Sequence, residues 1–204
     1  YGRRDNLWKA RIKILVKAEG QRFIDAVEQE YAQILAQNGG AHTISQAELD
    51  RVTACFVEPV SQPANVAHHV DTNSQAYQRW LERNVRAHRN ADLRIVHLSF
   101  KRPGLAPGDA DASTLEAVAQ LADTFSASEA RLTHEQNLVL PWVHVSDLPA
   151  LYEHAKALGL AQPNIGLLTD MIACPGGDFC SLANARSIPI AEALMQRYQD
   201  LDEI

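Results

Sequence analysis

The residues best suited to chemistry are two cysteines near the end of the chain, Cys174 and Cys180, which enclose a short glycine-rich stretch. Cysteine thiolates are natural ligands of iron–sulfur clusters. A glycine-rich loop also lets backbone N–H groups converge on a small anion. The spacing alone is a weak signal, because two buried thiols at the start of a helix have the same pattern. A disulfide between them is less expected in a reducing compartment.

A second candidate is the segment 131–137, which joins two predicted strands. Alternation along a strand places Arg131 and Thr133 on the same face of the sheet, and Gln136 follows from the turn. A polar, cationic centre on a sheet face suits a large ligand that carries carboxylates, because arginine offers a bidentate fork to each one. The alternative is that these side chains are simply solvated on an open sheet face.

The composition excludes several classes of function. The 204 residues have a net charge of -6, which argues against nucleic acid or an anionic membrane as the main partner. No apolar run approaches the roughly 18 residues that are needed to span a bilayer. Three cysteines cannot form a closed disulfide framework, and no signal-peptide pattern opens the chain, so we expect a reducing, cytoplasmic setting. Because the first residue is Tyr1, we expect the chain to be a piece of a longer protein.

The first part of the chain is predicted to be helical. Apolar residues recur at helical spacing through residues 7–35, although residues 12–16 also alternate as a strand would. A capping box formed by Ser45 and Glu48 predicts the start of a third helix. Cys55 lies on the apolar stripe of this helix and is expected to be in a core.

From residue 92 the periodicity changes to that of a mixed domain. Alternation predicts a strand over 93–100. A helical segment follows, and two further strands are predicted over 130–133 and 137–143. The resulting order is β-α-β-β-α, which is a ferredoxin-like split half-domain with two helices on one face of an antiparallel sheet. The opposite face of this sheet lacks a cover and needs another sheet, a cofactor or a partner domain.

Capping signals set the predicted helix starts in this region. Ser113 and Glu116 form a second capping box, and Ser146 is predicted to cap the following helix. Two further helical pieces are predicted over 181–186 and 189–198, the second of them beginning at a proline.

The predicted fold class is therefore α+β, a ferredoxin-like half-domain flanked by helical segments. Four parts are predicted: a helical segment 1–58, a linker with a short helix 59–90, the half-domain 91–160, and the beginning of a further domain 161–204.

Two motifs together resemble those of a known family. The pattern Arg-x-Thr-x-x-Gln at 131–136, followed by Cys-Pro-Gly-Gly-Asp-Phe-Cys at 174–180, resembles the siroheme and [4Fe–4S] sulfite/nitrite reductases. The stretches 133–140 and 166–185 are especially similar to the bacterial sulfite reductase hemoprotein subunit. The resemblance covers most of the chain.

The resemblance implies specific roles. Cys174 and Cys180 match the first two thiolate ligands of the cluster. The resemblance also implies that a strand motif faces the siroheme, and its residues are Arg131, Thr133, Gln136 and Asn137. The segments that flank the half-domain would belong to the adjoining siroheme and cluster domains. The second cysteine pair and the basic residues that hold the substrate are expected outside this chain, so no catalytic residue is predicted within it.

The resemblance also implies an activity and partners. The enzyme would reduce sulfite with six electrons, and the chain alone is expected to be inactive and to carry neither cofactor. The expected partners are the remaining domains of the same chain and a flavoprotein or ferredoxin electron donor, with no nucleic acid and no membrane. The alternatives are a fragment of assimilatory nitrite reductase and a non-catalytic ferredoxin-like interaction module with structural cysteines.

Overall fold

A four-stranded antiparallel sheet organises the second part of the chain. The computed structural model describes residues 5–38 and 44–199, and its strands lie in the order β1-β2-β4-β3. These strands are β1 (Val85–Ala87), β2 (Leu93–Leu98), β3 (Arg131–Leu132) and β4 (Leu138–His144). The α-helices of the described residues are α1 (Ile12–Glu19), α2 (Gln21–Gln37), α3 (Gln46–Thr53), α4 (Gln75–Asn84), α5 (Ala112–Phe125), α6 (Leu148–Ala157) and α7 (Ile188–Tyr198). Short 3₁₀ turns occur at Leu7–Lys9, Val145–Asp147 and Gly176–Asp178.

The chain divides into two compact units between Val57 and Glu58. The division into four parts that is expected from the sequence stays a prediction. Tyr1 and the end of the predicted 161–204 segment lie outside the described residues. None of the helices in the part of the chain that the structure describes has the length and apolar content needed to cross a membrane.

The first unit consists of α1 to α3, and none of the residues in these three helices is buried. Val27 and Tyr31 on the apolar stripe of α2 are about half exposed, at 50% and 49%. Cys55 is exposed, so the expectation that it belongs to a core is wrong. The start of α3 agrees with the capping pattern, because Ser45 Oγ accepts a hydrogen bond from the Glu48 N–H at 3.2 Å.

The second unit contains the predicted order of elements. β2, α5, β3, β4 and α6 follow one another as β-α-β-β-α, and all neighbouring strands are antiparallel. The predicted α+β, ferredoxin-like architecture is therefore confirmed. β1 was not predicted, because three residues are too few to show an alternating pattern.

One face of this sheet forms the core with α5 and α6. Val96 and Leu98 of β2 pair with Leu140 and Leu138 of β4, and all four side chains are buried. They pack in one cluster with residues of the two helices, including Val118, Leu121, Phe125, Leu151 and Ala155. Burial of this apolar surface, at roughly 25 cal/mol per Å², is the main force that closes the helices onto the sheet.

An irregularity in the pairing of β2 with β4 re-aims one aromatic side chain. Between Arg94 and Val96 the register shifts, so that Leu140 and Val143 both reach the core cluster. Trp142 lies between them outside that cluster and contacts Arg131 instead. Bulges commonly re-aim a side chain in this way. Trp142 therefore lies on the face opposite the helices.

Several predicted helix starts are wrong. Asp111 rather than Ser113 caps α5, since its carboxylate accepts a 2.7 Å hydrogen bond from the Thr114 N–H and the Ser113 hydroxyl only donates to that carboxylate. Ser146 does not cap α6, because the chain makes a 3₁₀ turn over Val145–Asp147 before the helix begins. Residues 181–186 form turns rather than a helix.

Candidate functional site

A buried ion pair lies at the end of β2. The Lys101 side chain is fully buried, and its Nζ lies 3.2 Å from Oδ1 of Asp170, whose side chain is 4% exposed. Nζ also donates to the Glu135 carbonyl and, at 3.5 Å, to Asn137 Oδ1. Burial lowers the pKa of Lys101, and the adjacent Asp170 carboxylate opposes this effect. The pair connects the β3–β4 turn to the segment that leads to the thiols.

Asn137 is the centre of this buried network. Its amide nitrogen donates to Asp170 Oδ1 at 2.8 Å, and its amide oxygen accepts from the Phe100 N–H at 3.0 Å. Its backbone N–H donates to Thr133 Oγ1 at 3.2 Å. Both ends of the Asn137 amide are thus used inside the protein, as buried polar groups require.

The second carboxylate oxygen of Asp170 also restrains the segment before the thiols. Asp170 Oδ2 accepts from the Gly166 N–H at 2.9 Å, which closes a tight turn. Asn164 accepts from Ser99 Oγ at 2.7 Å and donates to Thr169 Oγ1 at 3.2 Å. These bonds anchor residues 164–170 to the end of β2.

Gln136 contacts the residue immediately before the first cysteine. Its amide nitrogen donates to the Ala173 carbonyl at 2.9 Å, and its amide oxygen accepts from the Ala173 N–H at 3.1 Å. Gln136 has a φ of 60°, in the left-handed region that costs a non-glycine residue energy. Gly108 is required beside it, because a Cβ there would lie 2.7 Å from Gln136 Cβ.

The loop from Cys174 to Cys180 is compact. The Cys180 N–H donates to the Gly176 carbonyl at 2.8 Å, and the Gly177 N–H donates to the Ala185 carbonyl at 2.8 Å. The Ser187 hydroxyl donates to the Cys174 carbonyl. Cys174 is exposed and Cys180 is half-buried, and neither forms a disulfide.

Gly176 makes the tight loop possible. Its φ is 59°, and a Cβ there would lie 2.5 Å from Ser187 Oγ. Arg186 and Asp178 close the outside of the loop through an ion pair of 2.6 Å. The two thiols are therefore presented on a turn with a defined backbone.

Arg131 lies on the sheet face opposite α5 and α6. Its Nε is 2.5 Å from Glu129 Oε1, and its guanidinium carbon lies 5.6 Å from the centre of the Trp142 ring. The Arg131 hydrogen bond lowers the pKa of Glu129, and a second bond from the Trp142 indole acts in the same direction. Arg131 is thus half exposed on the open face but already has a carboxylate partner.

His97 lies in the same row of the open face. It pairs with Val139, which in turn pairs with Arg131 across the sheet. Burial lowers the pKa of His97, so the neutral imidazole is favoured. Its Nδ1 lies 3.3 Å from the Asn84 carbonyl.

The structure thus brings together five of the six residues predicted for the site. Gln136 and Asn137 connect the β3–β4 turn to residues 170–173, and Thr133 supports that turn. Cys174 follows directly, and Cys180 ends the loop that Cys174 begins. Arg131 stands apart at the other end of β3. The roles assigned to all six residues stay predictions.

Sequence reasoning missed Lys101 and Asp170. A lysine after a strand is normally expected on the surface. Asp170 had a usable signal, because it is the only charged residue in the otherwise uncharged run 166–173. A buried charge is costly unless it is paired, so an isolated charge in an apolar run predicts a buried partner.

The donor set fits the implied cofactors only in part. Among residues 5–38 and 44–199, no three His, Cys, Asp or Glu side chains are grouped so that they could hold a metal ion. Two thiols supply half of the four that a [4Fe–4S] cluster requires. All four residues implied to face siroheme already have protein partners, namely Arg131, Thr133, Gln136 and Asn137. The described residues therefore do not form a complete site for either group.

The chain is similar to several known proteins. Residues 97–158 match the family model of the nitrite/sulfite reductase ferredoxin-like half domain. The ferredoxin–nitrite reductase of Arabidopsis thaliana chloroplasts is 36% identical over 88 residues, which cover 42% of this chain and 15% of that protein. Sulfite reductase [ferredoxin] 1 of Mycolicibacterium paratuberculosis is 27% identical over 99% of this chain and 31% of its own length.

A solved structure extends the similarity to three dimensions. The structure of the Mycobacterium tuberculosis NirA protein superposes with a TM-score of 0.56 at 25% identity, covering 100% of this chain and 31% of that one. The chain therefore spans about a third or less of the length of each of these relatives. These matches confirm the resemblance that the two motifs predict.

Proposed function

We propose, on the premise that residues 97–158 are a nitrite/sulfite reductase ferredoxin-like half domain, that this chain is part of an assimilatory sulfite reductase hemoprotein. The whole protein would reduce sulfite to sulfide with six electrons, at a siroheme coupled to a [4Fe–4S] cluster. This chain would supply the half-domain and one pair of cluster thiolates.

The observation that carries the proposal is the extent of one match. The mycobacterial sulfite reductase aligns with 99% of this chain, so that the match includes both units and the thiol loop. The chloroplast nitrite reductase of Arabidopsis aligns with 42% of the chain. The longer alignment favours sulfite as the substrate, and nitrite is the alternative.

Within this proposal, Cys174 and Cys180 are two of the cluster ligands, and a second pair would come from outside the described residues. Arg131 pairs with Glu129, whose side chain is 37% exposed, so Arg131 would exchange Glu129 for a cofactor carboxylate. No reaction step is assigned to this chain, and the chain alone would be inactive.

The proposal includes a donor and a location. The names of the two relatives specify ferredoxin for those proteins, and ferredoxin is accordingly the proposed electron donor, with a flavoprotein as the alternative. The proposed location is the cytoplasm, and the three free cysteines support it, because a reducing compartment preserves free thiols.

The test uses the whole protein that contains this chain, purified from its own cells. We expect bound iron, siroheme absorbance, and reduction of sulfite by a chemical electron donor at a higher kcat/KM than reduction of nitrite. A higher kcat/KM for nitrite would replace the sulfite proposal with its alternative. A colourless protein without iron would contradict both and favour an interaction module.

A further inference from the structure

The resemblance implies that Gln136 faces a cofactor, but its contacts in the structure point elsewhere. Both ends of its side-chain amide are bonded to the backbone of Ala173, at 2.9 and 3.1 Å. This two-bond arrangement fixes the N–H and the carbonyl of one residue at once, as a neighbouring β-strand would. The residue that is fixed is the last one before Cys174.

The position of Gln136 is itself tightly determined. The positive φ of 60° turns its side chain out of the β3–β4 turn, and Gly108 leaves just enough room for its Cβ. The next residue, Asn137, is buried and bonded to Asp170 at 2.8 Å. The turn is therefore anchored on one side by the sheet and on the other by the buried ion pair.

Two consecutive residues of the turn thus hold two points of the segment before the thiols. Asn137 holds Asp170 and Gln136 holds Ala173, with only Met171 and Ile172 between these points. On the far side of Cys174, the Ser187 hydroxyl binds the Cys174 carbonyl. The backbone of Cys174 is therefore restrained from both directions, while its thiol stays exposed.

We infer that Gln136 is a positioning residue for the Cys174–Cys180 thiol pair. It acts through the backbone of Ala173, and it lets the two thiolates bind one soft cation together without itself touching that cation. This role goes beyond the proposed function and does not depend on it, because a bare metal ion suffices to measure it. Groups that orient metal ligands from behind typically change metal affinity about 10- to 100-fold when they are removed.

The test uses Cd²⁺ alone as the probe and a chain in which Cys55→Ser removes the remaining thiol. Cadmium–thiolate charge-transfer absorbance is followed during titration at constant pH. In the parent chain we expect one Cd²⁺ per chain, and the absorbance should be lost in Cys174→Ser and in Cys180→Ser. Absence of this absorbance in the parent would overturn the inference, because the thiols would not be held for joint binding.

The decisive variant is Gln136→Met, which keeps the length of the side chain and removes both hydrogen bonds. We expect the apparent Cd²⁺ dissociation constant to rise about tenfold. Gln120→Met, the same change at an exposed position of α5, is the matched control and should leave the dissociation constant unchanged. An unchanged constant in folded Gln136→Met protein would overturn the inference.

A second variant keeps the test decisive if Gln136→Met does not fold. Gln136→Gly removes the same hydrogen bonds and adopts the positive φ without strain. It should weaken Cd²⁺ binding to a similar extent, and the Ala173 amide should exchange its hydrogen faster with solvent because its acceptor is gone. Parent-like affinity in Gln136→Gly would likewise overturn the inference.

Discussion

The two units of the chain have similar apolar patterning but bury it differently. The helices of residues 5–57 carry apolar stripes, and none of their residues is buried. In residues 58–199 the sheet, α5 and α6 enclose Trp80, Leu98 and Leu140 completely. Periodicity in the sequence therefore indicates which face of a helix is apolar, but it does not indicate whether another part of the protein covers that face.

The same contrast holds for charges. In the first unit the pair of Glu48 with Arg51 is exposed on a single helix. In the second unit the pair Lys101–Asp170 is buried and joins distant parts of the chain. Exposed pairs contribute little to stability, whereas breaking a buried pair leaves an uncompensated charge.

The largest expected effect follows from breaking the buried pair. Lys101→Met leaves the Asp170 carboxylate buried beside Asn137, so the second unit should lose about 3–5 kcal/mol of unfolding free energy. Urea unfolding monitored by tryptophan fluorescence measures this loss. Arg51→Met, which breaks the exposed pair of the first unit, is the control and should not shift the transition. If Lys101→Met lost less than about 1 kcal/mol of unfolding free energy, the buried pair would contribute no more to stability than an exposed pair does. That result would contradict the proposed contrast between the two units.

A core deletion tests the contrast in apolar burial. Leu140→Ala creates a cavity between the sheet and its helices and should cost about 2–5 kcal/mol of unfolding free energy. Val27→Ala shortens a half-exposed side chain of the first unit and should change stability by no more than about 0.5 kcal/mol. Equal losses in the two variants, measured by urea unfolding, would show that the apolar stripe of α2 is covered in solution.

Acidification should have a smaller effect that is confined to the second unit. Because burial lowers the pKa of His97 in the folded protein, the unfolded chain binds more protons just below pH 6.5, so stability falls as pH decreases through this range. His97→Gln should flatten the dependence of Tm on pH between about 7 and 5. The exposed His68→Gln is the control and should leave it unchanged. If His97→Gln kept the same dependence of Tm on pH, the loss of stability on acidification would have to come from another group.

Much of the second unit was predictable from the sequence. A strand-like pattern in 93–98 and a short apolar run in 138–143, with a helical pattern between them, were sufficient for the β-α-β-β-α order. The thiol loop was predictable from two cysteines around consecutive glycines. Its direct neighbours Gln136 and Asn137 were found as polar residues in a turn, but their backbone partners are not visible in a sequence.

The remaining features depend on tertiary contacts. Lys101 is buried because Asp170 and the Glu135 carbonyl, both distant in sequence, surround its ammonium group. Asp111 caps α5 although Ser113 also fits a capping pattern, because a short chain segment offers several acceptors and only one fits the turn geometry. Burial of Cys55 was expected from its place on the apolar stripe of the third helix, but spacing does not identify a covering surface.

Two cysteines, one in each unit, provide the most direct test of the central claim that the loop of the second unit supplies cluster thiolates. In the whole protein, Cys174→Ser should remove the iron–sulfur absorbance and lower the iron content, whereas Cys55→Ser should leave both as in the unchanged protein. Iron–sulfur absorbance and iron content retained in Cys174→Ser would contradict the claim and exclude Cys174 from the ligand set.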